Sequence, residues 1–170
     1  MRRIFAILGI GLALASCATT QRYSAADDVR ALLISIRDDD PQMFESYIDR
    51  PSLQRDIGDR IGRELVGRVG DDRLRIIGAI LGPIVGGAVG DIFIRPSTFR
   101  RVAELYGYRA SQPLPSRLAI ASVLRPQGDG QVCAPVQEKG PCVLIFREAD
   151  DHRWRLVGFE GDLGMLNKLR

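Results

Sequence analysis

The stretch QVCAPVQEKGPCVLIFREADDHRWRLVGFE, residues 131–160, decides the fold class. Residues 131–137 and 142–148 are candidate strands, joined across Glu138-Lys139-Gly140-Pro141. Asp150-Asp151-His152 is a second turn, and 153–160 alternates apolar and polar residues again. Just upstream, Gly128-Asp129-Gly130 reverses the chain. Before it, Leu118, Ile120, Ser122 and Leu124 follow a period of two, which predicts a further strand. Strands this close in sequence pair antiparallel, because a parallel pair needs a crossover of a dozen or more residues.

Working outward, the pattern changes from period two to helical spacing. Pro113 and Pro115 form a linker ahead of the strands. Ser97 reads as a helix cap, with Phe99, Val102, Ala103 and Tyr106 inward and Gly107 at the C′ position. Near the start, Ser24 and Asp27 form a capping-box-like pair, and Val29, Leu32, Leu33 and Ile36 make an amphipathic face. Asp38-Asp39-Asp40-Pro41 ends that helix and begins another, with Asp40 as N-cap and Pro41 at N1. Met43, Phe44, Tyr47 and Ile48 supply one face of the second helix, which stops near Asp49-Arg50-Pro51. Ser52 opens a third, in which Leu53, Ile57, Ile61, Leu65 and Val69 recur every four residues. Asp71-Asp72 caps the next segment, and Asp162 caps a last helix carrying Leu163, Leu166 and Leu169. Helices first and strands last define an α+β fold. N-terminal helices pack on a C-terminal antiparallel sheet of three to four strands.

The N-terminus reads as an export leader. Arg2 and Arg3 precede a short apolar run, Ile4–Ala13, and Leu14-Ala15-Ser16-Cys17 follows. That ending resembles the lipobox of bacterial lipoproteins. The resemblance implies that the Cys17 thiol is diacylglycerated, the leader cut before it and the new amine acylated. It divides the chain into a signal peptide at 1–16, a lipid-anchored tether at 17–23 and one domain at 24–170. It implies membrane attachment through the N-terminal lipid. Ala18 follows Cys17, whereas Asp there would resemble an inner-membrane retention signal, so the expected location is the periplasmic face of the outer membrane.

Charge excludes one class of partner. Losing Arg2 and Arg3 with the leader lowers the formal net charge from +3 to about +1, too small a surplus for a nucleic-acid surface. In an exported chain, Cys133 and Cys142 read as a disulfide tying the two arms of a hairpin, with free thiols as the alternative. Zinc needs three or four ligands, and His152 is the single histidine, so no metal is expected.

The chain also resembles a bacterial family of unknown function, domain of unknown function 2939. YIDRPSLQRDIGDRI (47–61) is similar to its "vD-x-P-x-L-x-x-x-I/L" stretch. An apolar Gly/Ala-rich helix and a "v-x-P-x-x-l" turn come next in that family, matched here by Ile94-Arg95-Pro96-Ser97-Thr98-Phe99. Phe146-Arg147 and Trp154-Arg155-Leu156 resemble its closing strand, so the likeness runs over roughly 25–160. The disulfide-like pair and the extension after Gly161 depart from the pattern. The family has no known activity, so the resemblance implies no catalytic residues.

Residues 76–90, IIGAILGPIVGGAVG, carry no charge and place Gly78, Gly82, Gly86 and Gly90 four apart. They resemble the glycine-zipper stretches of some outer-membrane lipoproteins. Fifteen uncharged residues fall short of the roughly 20 that cross a bilayer, and Pro83 interrupts them, which favours buried helix packing. No G-x-S-x-G, H-E-x-x-H or Walker pattern occurs. His152 reads as a turn residue, and Asp38-Asp39-Asp40 as a helix boundary rather than a cation site. The expected function is a non-enzymatic binding or envelope-maintenance module without a cofactor, meeting an envelope protein. Alternatives are a pocket for a small apolar ligand, with Tyr106 and Trp154 as candidate walls, and a small hydrolase. No motif fixes the oligomeric state.

Overall fold

The computed structural model describes residues 2–68, 94–105, 107–135 and 140–161, and within helices the side chains of 19–60 and 63 among the first 68. Its first helix, α1, runs without interruption over Arg2–Asp38. It does not begin at Ser24, and residues 17–23 are helical. Ala18-Thr19-Thr20-Gln21-Arg22-Tyr23 contains no Gly or Pro to stop a helix, and the Ser24 hydroxyl is engaged by a distant side chain instead of capping. Ala25, Ala26, Val29, Leu32 and Ile36 form the buried stripe. Ser35 is fully buried on the same face and returns its hydroxyl to the Leu32 carbonyl at 2.7 Å, so it brings no unpaired polar group into the core.

Asp39 occupies the left-handed conformation (φ 55°) that ends α1, and Asp40 N–H donates back to the Ser35 carbonyl. Asp40 then caps α2 (Pro41–Ser46), accepting from Met43 N–H at 3.0 Å, with Pro41 in the first turn. The third helix, α3 (Arg50–Arg68), starts two residues before Ser52. Asp49 is its cap: the carboxylate accepts from Ser52 N–H at 3.1 Å and from the Ser52 hydroxyl at 2.7 Å. Leu53 and Ile57 are buried, while the Ile61, Leu65 and Val69 side chains lie outside the described residues.

Helix α4 (Pro96–Leu105) follows Arg95, whose carbonyl accepts from Thr98 and Phe99 N–H, so Ser97 lies inside the helix rather than capping it. Gly107 (φ +91°) closes α4: its N–H reaches the Glu104 carbonyl and Tyr108 N–H the Ala103 carbonyl. That pair of bonds is the Schellman arrangement expected of a C′ glycine.

Residues 117–123 are a helix, α5 (Arg117–Val123), where the period-two reading predicts a strand. Ser116 decides the outcome by accepting from Ala119 N–H at 3.2 Å as N-cap. Ile120, Ala121 and Leu124 face the core with helical spacing, and Leu118 is left 62% exposed.

The sheet is a four-stranded antiparallel meander: β1 (Arg125–Gly128), β2 (Gln131–Pro135), β3 (Cys142–Glu148) and β4 (Trp154–Phe159), in that order. Asp129 (φ 48°) and Gly130 (φ 66°) supply the two positive φ angles of a type I′ turn between β1 and β2. Asp150-Asp151-His152 joins β3 to β4 as a three-residue loop, with His152 (φ 60°) where glycine is usual. The helix-facing side carries Val132, Ala134, Leu144, Phe146, Trp154, Leu156 and Phe159, which meet α1, Phe44, Ile48, Leu53 and Ile57 in one core. Phe99 of α4 packs edge-on against Phe44, with ring centroids 5.3 Å apart. The α+β fold is therefore five helices, among the described residues, packed on a C-terminal antiparallel sheet.

The two sheet edges are closed differently. β1 is short and contains Pro126, which blunts it. The β4 edge is covered from the helical side. Trp154 N–H donates to Asp28 Oδ2 of α1 at 2.8 Å, and Phe159 N–H to Asp56 Oδ2 of α3 at 3.0 Å. Between them, Leu156 exchanges backbone bonds with Tyr47 and Asp49 around the parallel bridge to Ile48. Two carboxylates and one bridge thus occupy edge groups that would otherwise template another strand.

Among the described residues, no helix is long and apolar enough to cross a membrane. Gly78, Gly82, Gly86 and Gly90, the whole 76–90 segment, the Asp71-Asp72 cap and the helix expected after Asp162 lie outside the described residues.

Candidate functional site

The helical spacing of α1 brings Thr20, Ser24, Asp27 and Asp28 toward one side, with Thr19 and Tyr23 beside them. α5 lies along this part of α1 and projects Arg117 over it. Together these seven residues line an open groove of about 550 Å³.

Arg117 organises the groove. Its Nε and Nη2 donate to the Tyr23 carbonyl at 3.3 and 3.1 Å, and Nε lies 3.0 Å from Asp27 Oδ1. Its guanidinium carbon stands 5.8 Å from the Tyr23 ring centroid, within cation–π range. The Arg117–Asp27 pair is more than half exposed, so it fixes α5 against α1 while adding little stability. Behind the groove, Ser24 Oγ accepts from the Trp154 indole N–H at 3.1 Å, and Asp28 holds the Trp154 backbone N–H. The groove is thus tied to the edge strand of the sheet.

The lining supplies hydroxyls, two carboxylates and a guanidinium, with no imidazole or thiol. It can hydrogen-bond a polar partner. Among the described residues, no cluster of three or more His, Cys, Asp or Glu could hold a metal ion.

The residues singled out from sequence lie elsewhere. Cys17 is within α1, two residues before Thr19 at the groove mouth, and its side chain is outside the described residues. Cys133 and Cys142 are joined by a disulfide, with Cα atoms 5.6 Å apart, diagonally across the β2–β3 pair. Trp154 is 1% exposed and belongs to the helix–sheet core. Tyr106 lies outside the described residues. His152 is an exposed turn residue whose Nδ1 faces Glu148 Oε1 at 3.2 Å. The aspartate run is dispersed by its local roles. Asp39 ends α1 and lies 3.9 Å from Arg100, and Asp40 caps α2. Asp38 is gripped by Arg37 at 2.7 and 3.0 Å. That hydrogen bonding holds the Asp38 carboxyl below the ordinary carboxylate range.

Sequence reasoning missed Ser24 as a tertiary partner, Asp28, Asp56 and Arg117. Their partners lie 94 to 130 residues away. No local pattern marks such pairs.

The chain has no significant match among curated proteins or among solved structures. A family model does match, over residues 11–102. The match takes in α1 from residue 11 onward, α2, α3 and most of α4, and stops ahead of α5 and the sheet. The likeness read from Phe146-Arg147 and Trp154-Arg155-Leu156 therefore falls outside the matched residues. With more than half of its 170 residues matched, the chain belongs to the family described as Protein of unknown function (DUF2939).

Proposed function

We propose that this chain is a lipid-anchored, non-enzymatic module of the bacterial envelope, held at the periplasmic face of the outer membrane and acting by binding or by envelope maintenance. One observation carries the reading: Leu14-Ala15-Ser16-Cys17 follows Arg2, Arg3 and the short apolar run Ile4–Ala13. A stable anchor takes two or more acyl chains, each buried methylene contributing about 0.8 kcal/mol. Lipidated Cys17 supplies them without any transmembrane helix. The disulfide between Cys133 and Cys142 supports an oxidising compartment, because a reducing cytosol does not maintain structural disulfides. Membership of a family without known activity is compatible with a binding role.

Fractionation tests the reading. The native protein should sediment with outer membranes, and Cys17→Ala should appear in the soluble periplasm. A Cys17→Ala protein that stays membrane-bound would refute the lipid as its main tether. The apolar-ligand alternative loses support from Trp154, whose ring is enclosed in the core rather than lining an open cleft.

A further inference from the structure

We infer that the α1–α5 face around Tyr23 and Leu118 docks flat on the phospholipid headgroups to which Cys17 is anchored. The inference rests on the proposed lipid attachment and adds an orientation to it.

The geometry begins with the helix. α1 is continuous through Cys17 and into the buried stripe that starts at Ala25. Between Cys17 and that stripe the chain is helical and contains no Gly or Pro. Six residues from Cys17 to Tyr23 rise about 9 Å at 1.5 Å per residue. The polar layer of one leaflet is roughly 5–7 Å deep. With the helix lying along the membrane, Tyr23 sits at headgroup depth, and even upright it stands only about 9 Å beyond Cys17. Arg117 contacts the Tyr23 carbonyl and ring, which brings the start of α5 to the same depth.

The composition of this face fits that position. Leu118 is 62% exposed and Tyr23 is 38% exposed, two of the three large hydrophobic side chains exposed among the described residues. Tyrosine favours the membrane interface because its ring is apolar and its hydroxyl polar. Thr19 and Thr20 add hydroxyls nearby. Asp27 offsets Arg117 at 3.0 Å, and Asp28 adds a further carboxylate. The surface is therefore not strongly cationic. A face whose charges largely offset one another suits a zwitterionic headgroup layer rather than an anionic one.

The test uses the full lipidated chain, purified from membranes and reconstituted in phosphatidylethanolamine–phosphatidylcholine vesicles. A nitroxide is attached at Leu118→Cys, and in a second sample at Gln42→Cys, an exposed position beyond the far end of α1. Cys133 and Cys142 stay oxidised and unlabelled. Collision rates with a water-soluble nickel chelate and with oxygen report depth. The 118 label should be several-fold less accessible to the chelate than the 42 label and correspondingly more accessible to oxygen. Tyr23→Glu should move the 118 label toward water while the protein still floats with vesicles. Equal aqueous exposure of both labels on a floating protein would overturn the docking and leave the anchor standing. A protein that neither floats nor carries lipid on Cys17 would overturn the anchor and the docking with it.

Discussion

The Trp154 indole N–H donates to Ser24 Oγ at 3.1 Å, tying the edge strand to the first helix across 130 residues of chain. Trp154 is 1% exposed, but Ser24 is exposed and lines the open groove, so water can take the place of the lost hydroxyl. Ser24→Ala should therefore destabilise the fold by roughly 0.5–1.5 kcal/mol, the net worth of a typical hydrogen bond. Trp154→Phe removes the donor as well as some packing. The double variant should cost about 1 kcal/mol less than the two single changes summed. Urea unfolding of all four proteins checks this, and strict additivity would dissociate the two groups.

Asp28 and Asp56 hold the backbone of β4 from two different helices. Asp28→Ala and Asp56→Ala should each cost about 1.5–3 kcal/mol, as for hydrogen bonds to charged groups. Each should also raise light scattering on standing, because an uncovered edge invites strand addition. The Asn variants, which retain an acceptor oxygen, should recover part of the loss. Alanine variants as stable and soluble as the native chain would contradict this account of the edge.

What could be read in advance was local chemistry. The apolar stripe of α1, the Asp40 cap, the Gly107 stop and the Asp129-Gly130 turn each depend on a few neighbouring residues, and each predicts its element. The strand placed at 118–124 failed for a local reason too. Leu118, Ile120, Ser122 and Leu124 satisfy a two-residue period, yet Ser116 caps a helix whose buried side is Ile120, Ala121 and Leu124. The groove was hidden because its makers are ordinary surface residues in sequence. Arg117 acquires meaning only when α5 is laid along α1, and Asp28 only when β4 arrives beside it.

Gly107 and His152 form a contrasting pair of left-handed positions. A Cβ at Gly107 would touch nothing within 4 Å, so Gly107→Ala should lose only the backbone preference, about 1 kcal/mol. His152→Gly relieves a side chain of the same conformation and gives up an exposed contact with Glu148. Its stability should be unchanged or higher by up to about 1 kcal/mol. The variant should also retain function in cells, as expected of a turn residue. A folded His152→Gly protein without function would reopen the hydrolase reading.

The Cys133–Cys142 bridge spans nine residues of sequence. Chain-entropy reasoning gives such a loop about 2.5–3 kcal/mol. Replacing both cysteines by serine should lower the Tm by roughly 5–10 °C for a domain of this size. Calorimetry of oxidised, reduced and double-serine protein checks the figure. Identical melting of all three would show that the hairpin gains nothing from the bond.

The anchor at Cys17 is tested most directly by mass spectrometry of the N-terminal peptide from membrane-purified protein. The account predicts a chain beginning at Cys17, with a diacylglyceryl group on sulfur and an acyl chain on its amine. A free thiol at Cys17, or a chain that still carries Met1 to Ser16, would contradict it.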